Sequence, residues 1–126
     1  MKMSGGVMLV EDEPMIALMV ADTIEAYDLK VACVFRSNAQ AIAWLADHRP
    51  DLAVIDFGLA DGRADFLAQR LVRQVTPFCV ISGFPRAAAG PLFQDVAWID
   101  KPFSQEELYL ALRACLRHGA RGPAYV

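Results

Sequence analysis

The stretch DLAVID, residues 51–56, decides the fold of this 126-residue chain. Its four consecutive apolar residues show no alternation, which is typical of a strand buried on both faces of a parallel sheet. Asp56 ends the run, where such a strand emerges at the edge of its sheet. Functional groups of α/β proteins gather at that edge, so Asp56 is a candidate functional residue.

Short apolar runs alternate with longer amphipathic stretches along the chain. This rhythm predicts an α/β fold of (βα)5 type, a doubly wound five-stranded parallel sheet with helices on both faces. The predicted strands are residues 7–10, 31–35, 52–55, 78–81 and 97–99. We expect one domain over residues 1–126, with a core from about 7 to 118 and a flexible tail at 119–126.

Helix starts are marked by local signals. Pro14 suits the first turn of a helix, while Ser37 and Ser104 each precede a Gln or Glu by three residues, which is a capping box. A third helix is expected over about residues 64–74. Between residues 83 and 95, Pro and Gly interrupt the pattern, so we expect a short, frayed or mobile fourth helix.

Composition excludes several classes of protein. Although 56% of the residues are apolar, no apolar run approaches the roughly 20 residues that span a bilayer. The first residues lack the pattern of a secretory signal, so we expect a cytoplasmic protein without membrane insertion. A net charge of −3 with scattered basic residues argues against direct nucleic-acid binding.

Charged and polar residues at four predicted strand ends point to phosphoryl chemistry. Glu11, Asp12 and Asp56 offer carboxylate oxygens, the ligands that Mg²⁺ prefers and Mn²⁺ accepts. Lys101 would stabilise phosphoryl oxygens as a point charge, and Ser82 would donate a hydroxyl hydrogen bond. Each residue alone is more often a cap or a turn residue, but their joint occurrence favours a divalent-cation and phosphoryl site.

The constellation resembles the receiver domain of two-component response regulators. The matching segments are LVEDEP (9–14), DLAVID (51–56), DG (61–62), ISG (81–83) and KPF (101–103). The resemblance spans about residues 7–117 and implies a flavodoxin-like sheet of strand order 2-1-3-4-5. It also implies a receiver of the stand-alone, single-domain type.

The resemblance assigns roles by position. Asp56 matches the phosphoacceptor, and Glu11 and Asp12 match the acidic pair, with Asp12 the direct Mg²⁺ ligand. Gly58 matches the position whose backbone carbonyl binds the metal.

The same resemblance extends to two further strand ends. Ser82 and Lys101 match the hydroxyl and the lysine of the family. Pro102 matches the proline after a cis peptide bond, so the bond between Lys101 and Pro102 is expected to be cis.

Two positions depart from the family pattern. Ala60 stands where receivers usually have Pro, which would leave the loop after Asp56 looser. Trp98 holds the aromatic switch position, either as a switch residue or as core filler. We expect the signal to pass from Asp56 through Ser82, Phe84 and Trp98.

The implied function is a phosphorylation-dependent switch or a phosphorelay intermediate. A sensor histidine kinase or a histidine phosphotransfer protein would phosphorylate Asp56 with Mg²⁺, and a downstream protein partner would read the result from a monomer or a phosphorylation-modulated dimer. Alternatives are a phosphorylation-independent interaction module and a Mg²⁺-dependent aspartyl-phosphate phosphohydrolase. The hydrolase is disfavoured because Gly58 stands where such enzymes need a second acid, so no turnover of an external substrate is expected.

Candidate contact surfaces follow from the same assignment. Met15 and Met19, near the start of the first helix, would dock a phosphotransfer helix or pack at the core edge. The face after residue 83, the fifth strand and the last helix would form the output surface. Its expected exposed residues are Phe93, Trp98, Tyr109 and Arg113.

Overall fold

The computed structural model describes residues 2–3 and 5–118, and the expected flexible tail at 119–126 lies outside them. Five strands form the main sheet: β1 (Val7–Val10), β2 (Val31–Phe35), β3 (Leu52–Asp56), β4 (Phe78–Ser82) and β5 (Ala97–Asp100). The α-helices are α1 (Pro14–Ala26), α2 (Asn38–Leu45), α3 (Asp65–Arg73) and α4 (Gln105–His118).

The sheet is parallel throughout and has the order β2-β1-β3-β4-β5, which confirms the expected 2-1-3-4-5. In the register, Val10 of β1 lies opposite Ile55 of β3. The next residues, Glu11 and Asp56, therefore leave the sheet at the same edge.

The core lies in two layers, one on each face of the sheet. Met8 and Ala53 belong to the layer beneath α2 and α3, whereas Leu9 and Val54 belong to the layer beneath α1 and α4. Strands apolar at every position are required for this arrangement, since alternate residues point to opposite faces. The doubly wound architecture follows directly from those unbroken apolar runs.

The predicted capping box is complete at α4 and half formed at α2, where Gln40 bonds the residue before the N-cap. At α4, the Ser104 hydroxyl accepts from the Glu107 N–H at 3.1 Å, and the Glu107 carboxylate accepts from the Ser104 N–H at 3.2 Å. At α2, the Ser37 hydroxyl accepts from the Gln40 N–H at 3.1 Å, while the Gln40 side chain accepts from the Arg36 N–H at 2.9 Å.

The expected fourth helix is wrong in one respect, because the segment between β4 and β5 contains no α-helix. It forms two 3₁₀ turns, Arg86–Ala88 and Pro91–Phe93. Gly90 lies between them with φ of +94°, a conformation that favours glycine, and Pro91 cannot donate a backbone hydrogen bond. These two residues prevent one continuous helix.

Two short strand pairs lie outside the main sheet. Lys2–Met3 pairs in parallel with His48–Arg49, and Gly58–Leu59 pairs with Gly62–Arg63 in an antiparallel hairpin, called here the 58–63 hairpin. Gly62 has φ of +126°, which suits the glycine that follows the hairpin tip. Within the described part of the chain, no helix has the length and apolarity needed to cross a membrane.

Candidate functional site

Four carboxylates gather at the carboxyl edge of the sheet. One oxygen from each of Glu11, Asp12, Glu13 and Asp56 lies within 4.8 Å of the others. Glu11 and Asp56 are buried, with 1% and 2% of their surface exposed. An all-oxygen donor set of this kind fits a hard divalent cation such as Mg²⁺ or Mn²⁺. Glu13 was missed from the sequence, although it is the third acid in a row.

Lys101 is the cationic partner of this cluster. Its Nζ lies 2.9 Å from Asp56 Oδ2, 3.1 Å from Glu11 Oε1 and 3.2 Å from Glu13 Oε1. Burial alone would lower the pKa of Lys101, but the hydrogen bonds and charges of Asp56 and Glu11 outweigh it and raise that pKa above its ordinary value. Lys101 is therefore a permanent positive charge beside Asp56.

Glu11 is the carboxylate of the cluster whose ionisation is the most costly. Burial raises the pKa of Glu11 to about 7, and the negative charge of Asp56 adds to the rise. The hydrogen bond from the Glu13 N–H to Glu11 Oε2, at 3.0 Å, and the contact with Lys101 act in the opposite direction. A divalent cation would relieve the crowding of Glu11 and Asp56, which one lysine only partly offsets.

The 58–63 hairpin closes one side of the cluster. The Gly58 N–H donates to Asp56 Oδ1 and the Ala60 N–H donates to Asp12 Oδ2, both at 3.2 Å. A proline at position 60 could not donate the second bond, so the departure at Ala60 supplies Asp12 with a partner. Gly58, whose carbonyl the sequence proposes as a metal ligand, lies on this hairpin.

Asp61 anchors the same hairpin to α2, a contact that was not predicted from the sequence. Its Oδ1 accepts from the N–H and the side-chain amide of Asn38 at 3.1 and 3.2 Å, and its Oδ2 accepts from the Ala39 N–H at 3.1 Å. Burial alone would raise the pKa of Asp61, but these donors hold it below its ordinary value. Asp61-Gly62 matched the family as a motif, yet no local signal identified Asn38 as the partner.

Ser82 is buried at the end of β4. Its hydroxyl accepts from the Phe84 N–H at 2.7 Å and donates to the Phe84 carbonyl at 3.0 Å. Its own carbonyl accepts from the Lys101 N–H at 2.8 Å, and the peptide bond between Lys101 and Pro102 is cis. The backbone of Ser82 is thus tied to that of Lys101, while its side chain bonds the following turn.

Phe84 packs directly over Gly58. A Cβ added to Gly58 would lie 2.6 Å from Phe84 Cε2, so a side chain at position 58 would require the Phe84 ring to move. The Phe84 ring also meets Phe57 edge-on, with centroids 5.9 Å apart. Phe84 therefore stands beside the Asp56 end of β3, although 54% of its surface is exposed.

Trp98 is half-buried and packs against the core. Its ring centroid lies 5.2 Å from that of Phe57 and 6.0 Å from that of Phe93. The indole N–H is buried and lacks a hydrogen-bond partner among the described residues, which is a cost to this packing. Phe93, expected on the exposed output face, is fully buried, because it fills the space beneath Trp98 and Phe57.

Arg86 holds the connection between β4 and β5 together. Its Nη1 lies 3.0, 2.8 and 2.7 Å from the carbonyl oxygens of Phe93, Gln94 and Val96, to which it donates. The guanidinium also lies 5.9 Å from the centroid of the Trp98 ring. The sequence interpretation missed Arg86 because its acceptors are backbone oxygens, which carry no residue signature.

A shallow groove of about 370 Å³ borders the cluster. Its lining residues are Glu13, Ile16, Met19, Lys101, Pro102 and Phe103. Met15, on the exposed side of α1, has 77% of its surface accessible. The groove therefore combines apolar lining residues with two charged side chains, Glu13 and Lys101, that also belong to the site.

The fold and the site together define a doubly wound α/β protein whose sheet edge carries an acidic cluster that could hold a divalent cation. The family model of the response regulator receiver domain matches residues 7–113, and the chain belongs to that family. Receiver domains serve phosphorylation-dependent signalling in two-component systems, as switches more than as metabolic enzymes.

Individual relatives agree with this assignment. The transcriptional regulatory protein KdpE of Mycobacterium tuberculosis is 29% identical over 117 residues, which cover 88% of this chain and 50% of KdpE. The chain therefore spans about half the length of the curated relatives it matches.

Two solved structures are also similar. SdrG from Sphingomonas melonis Fr1 is 30% identical with a TM-score of 0.78, over 89% of this chain and 96% of SdrG. The REC domain of the PhyR response regulator of Erythrobacter litoralis has a TM-score of 0.79 over 92% of each chain, at 23% identity, and this likeness concerns the fold.

Proposed function

We propose that Asp56 accepts a phosphoryl group from a phosphohistidine and that the chain acts as a phosphorylation-dependent signalling switch or relay. The observation that carries the proposal is the Lys101 ammonium 2.9 Å from buried Asp56, within a cluster of four acids. Such a charge arrangement is costly for stability alone, and it matches what in-line phosphoryl transfer to a carboxylate requires.

The residues divide the chemistry between them. An oxygen of Asp56 attacks phosphorus as the P–N bond to the donor imidazole breaks, and the bonding pair returns to the imidazole nitrogen. Lys101 stabilises the negative charge on the transferring oxygens. Bound Mg²⁺ would offset charge between the carboxylate and the phosphoryl oxygens.

The residues that would hold Mg²⁺ or Mn²⁺ are Glu11, Asp12, Asp56 and the backbone carbonyl of Gly58. Asp12, half-buried beside Asp56, is the proposed direct carboxylate ligand. Glu13 joins the cluster on its exposed side and offers a further oxygen.

The switch begins at Ser82. Once Asp56 is phosphorylated, the hydrogen bond from the Ser82 hydroxyl to the Phe84 carbonyl breaks, and the hydroxyl donates to a phosphoryl oxygen instead. A charge-assisted bond of this kind is worth about 1.5–3 kcal/mol, enough to shift a two-state equilibrium. The Phe84 turn then rearranges, and the packing of Trp98 against Phe57 changes with it.

The phosphoryl donor would be a sensor histidine kinase or a histidine phosphotransfer protein, and this donor class implies action in the cytoplasm. Such a donor would dock with an apolar helix face on the groove beside Met19 and Phe103. A downstream protein partner would read the surface around Trp98, from a monomer or a phosphorylation-modulated dimer. Turnover of an external substrate is not proposed, because Gly58 has no carboxyl group to serve as the second acid that an aspartyl-phosphate phosphohydrolase needs.

Titration with Mg²⁺ and beryllofluoride, a mimic of the phosphoryl group, tests the proposal through tryptophan fluorescence. The Trp98 ring lies 5.2 Å from that of Phe57, which directly follows Asp56, so its emission should change when Asp56 is loaded. The second indole belongs to Trp44, which lies near the end of α2 and stacks on His48. A Trp44→Phe variant removes it. We expect the parent and Trp44→Phe to respond and Asp56→Asn to stay silent.

Phosphoramidate, a small donor with a P–N bond, provides the covalent test. Intact mass should show one added phosphoryl group in the parent and none in Asp56→Asn. If neither probe gave an Asp56-dependent response, the chain would be a phosphorylation-independent interaction module of receiver fold. Transfer of the phosphoryl group onward to a phosphotransfer protein would distinguish a relay from a terminal switch.

A further inference from the structure

The 58–63 hairpin contacts the acidic cluster on one side and α2 on the other. On the cluster side, Ala60 and Gly58 donate N–H hydrogen bonds to Asp12 and Asp56. On the α2 side, the Asp61 carboxylate receives three hydrogen bonds from Asn38 and Ala39. The hairpin is therefore bonded at both edges.

Asn38 forms hydrogen bonds with the second strand of the hairpin as well as with its tip. Its side-chain amide donates to the Gly62 carbonyl at 3.0 Å and lies 3.3 Å from the Arg63 carbonyl, in addition to its bond with Asp61. Only 8% of Asn38 is exposed, so water competes weakly for these bonds. A helix cap requires only an acceptor for the first free N–H groups of the helix. Capping of α2 therefore does not explain why the Asn38 amide also donates to backbone carbonyls of the hairpin.

The hairpin register carries this restraint to the cluster. Gly58 lies opposite Arg63, whose carbonyl accepts from Asn38, and Ala60 directly precedes Asp61. A shift of Asp61 away from α2 would therefore move the Ala60 N–H away from Asp12 and displace the Gly58 carbonyl. Groups that hold metal ligands in place set metal affinity in many proteins, and Asn38 and Asp61 would act on the ligands indirectly, through the backbone of the hairpin.

We infer that Asn38 and Asp61 form a positioning pair that sets the Mg²⁺ affinity of the site by holding the 58–63 hairpin against Asp12. The inference rests on the proposed function, because it takes Asp12 and the Gly58 carbonyl as Mg²⁺ ligands. It assigns the pair no contact with the cation or with the phosphoryl group.

Isothermal titration of the full chain with Mg²⁺ tests the pair, with circular dichroism as a check that each variant is folded. Asp61→Ala should weaken Mg²⁺ binding about tenfold, the lower end of the effect of losing a direct partner of a ligand, because Asp61 acts only through the hairpin backbone. Asp61→Asn retains one acceptor for Asn38 and should lose less, and Asn38→Ala should resemble Asp61→Ala. The double variant should be no weaker than the worse single variant, because both act through one hairpin.

Ser37→Ala is the matched control. Ser37 caps the same helix through the Gln40 N–H at 3.1 Å but has no bond to the hairpin. This variant should lower the unfolding temperature of the metal-free protein as Asp61→Ala does, while its Mg²⁺ affinity stays at the parent value. Comparison of the two variants therefore distinguishes the effect of a lost helix cap on stability from the effect of a displaced hairpin on Mg²⁺ affinity.

The outcomes distinguish the inference from the function on which it rests. If the parent binds Mg²⁺ and both Asp61→Ala and Asn38→Ala bind it equally well, the pair only caps α2 and the inference is wrong. An equal loss of affinity in Ser37→Ala would overturn it too. A parent that does not bind Mg²⁺ would overturn the proposed function as well.

Discussion

Glu11 is the residue at which a proton and a cation compete for the site. Its carboxyl group is buried between Lys101 and Asp56, and its pKa is raised to about 7, chiefly by burial. A cation that binds the cluster must displace this proton, so binding and deprotonation are linked. The pH at which the site becomes receptive to a cation is therefore set by Glu11.

We predict that Mg²⁺ affinity falls as the pH drops from about 8 to about 6. Below the pKa of about 7, Glu11 holds a proton, so the apparent affinity should fall by up to about tenfold per pH unit. Above that pKa the carboxylate is already ionised, and the affinity should level off. Calorimetric titration with Mg²⁺ across this range measures the slope.

Glu11→Gln is the control for this dependence, since it keeps the shape of Glu11 without the titrating proton. Its Mg²⁺ affinity should be lower and nearly independent of pH in the same range. A parent whose affinity is flat from about pH 6 to about pH 8 would contradict the role of Glu11.

At the residue scale, the sequence predicted the groups that strand ends bring together. Glu11, Asp12, Asp56 and Lys101 follow buried strands, and the order of a parallel sheet makes their meeting a necessity. Asn38 and Arg86 were out of reach because they bond mostly backbone atoms. Which carbonyl or N–H stands opposite a side chain depends on tertiary geometry and leaves no trace in residue types.

At the scale of elements, two arginine side chains hold the connection between β4 and β5: Arg63 donates to the Ala89 carbonyl at 3.0 Å, and Arg86 makes the larger set of bonds. The two 3₁₀ turns of this connection lack the hydrogen-bond ladder of a helix, and Arg86 substitutes for it by donating to three carbonyls. The same guanidinium lies near Trp98, so the turns and the proposed switch residue are coupled.

We predict that Arg86→Ala destabilises the protein by about 1–3 kcal/mol, because the carbonyls lose a charged donor. Amide hydrogen exchange should accelerate between residues 84 and 96 and change little in β1 and β3. Arg86→Lys should recover part of the stability but not the geometry of the guanidinium. Denaturant unfolding and exchange mass spectrometry together measure both effects.

Arg113→Ala is a matched control, since Arg113 is an exposed arginine whose guanidinium lies over the Tyr109 ring at 5.6 Å. It should leave exchange between residues 84 and 96 unchanged. Equal protection of that segment in Arg86→Ala and the parent would show that the turns are held by other contacts.

The strands of the main sheet were predicted within one residue, since unbroken apolar runs identify buried parallel strands with little ambiguity. The expected short helix after β4 was wrong because Pro and Gly were read as weakening a helix. In the structure, Gly90 takes a left-handed conformation and divides the segment into two turns. The 58–63 hairpin was not predicted, because the paired strands of two residues are too short to show periodicity.

At the scale of the whole molecule, the acidic cluster lowers the stability of the fold that presents it. The side chains of Glu11 and Asp56 are 0% and 3% exposed, and one ammonium group, that of Lys101, serves both. Above the raised pKa of Glu11, these two buried carboxylates and one half-buried cation leave an excess of negative charge in the absence of a metal. The metal-free protein should therefore gain stability when one of these charges is removed.

We predict that Asp56→Asn is more stable than the parent without Mg²⁺, by about 1 kcal/mol or roughly 4 °C in Tm. Lys101 and Glu11 then form a balanced pair, and the carbonyl of the substituted amide side chain can still accept from Lys101. Added Mg²⁺ should raise the Tm of the parent more than that of the variant, because only the parent retains all the proposed ligands. Thermal unfolding with Mg²⁺ and with a chelator measures the difference.

Asp100→Asn is the control, since Asp100 is an exposed acid beside the same edge of the sheet and lies outside the four-acid cluster. It should leave Tm nearly unchanged under both conditions. A lower Tm for Asp56→Asn in chelator would mean that Lys101 fully compensates both carboxylates. The excess negative charge would then be absent, and with it the reason for this edge of the sheet to attract a cation before phosphorylation.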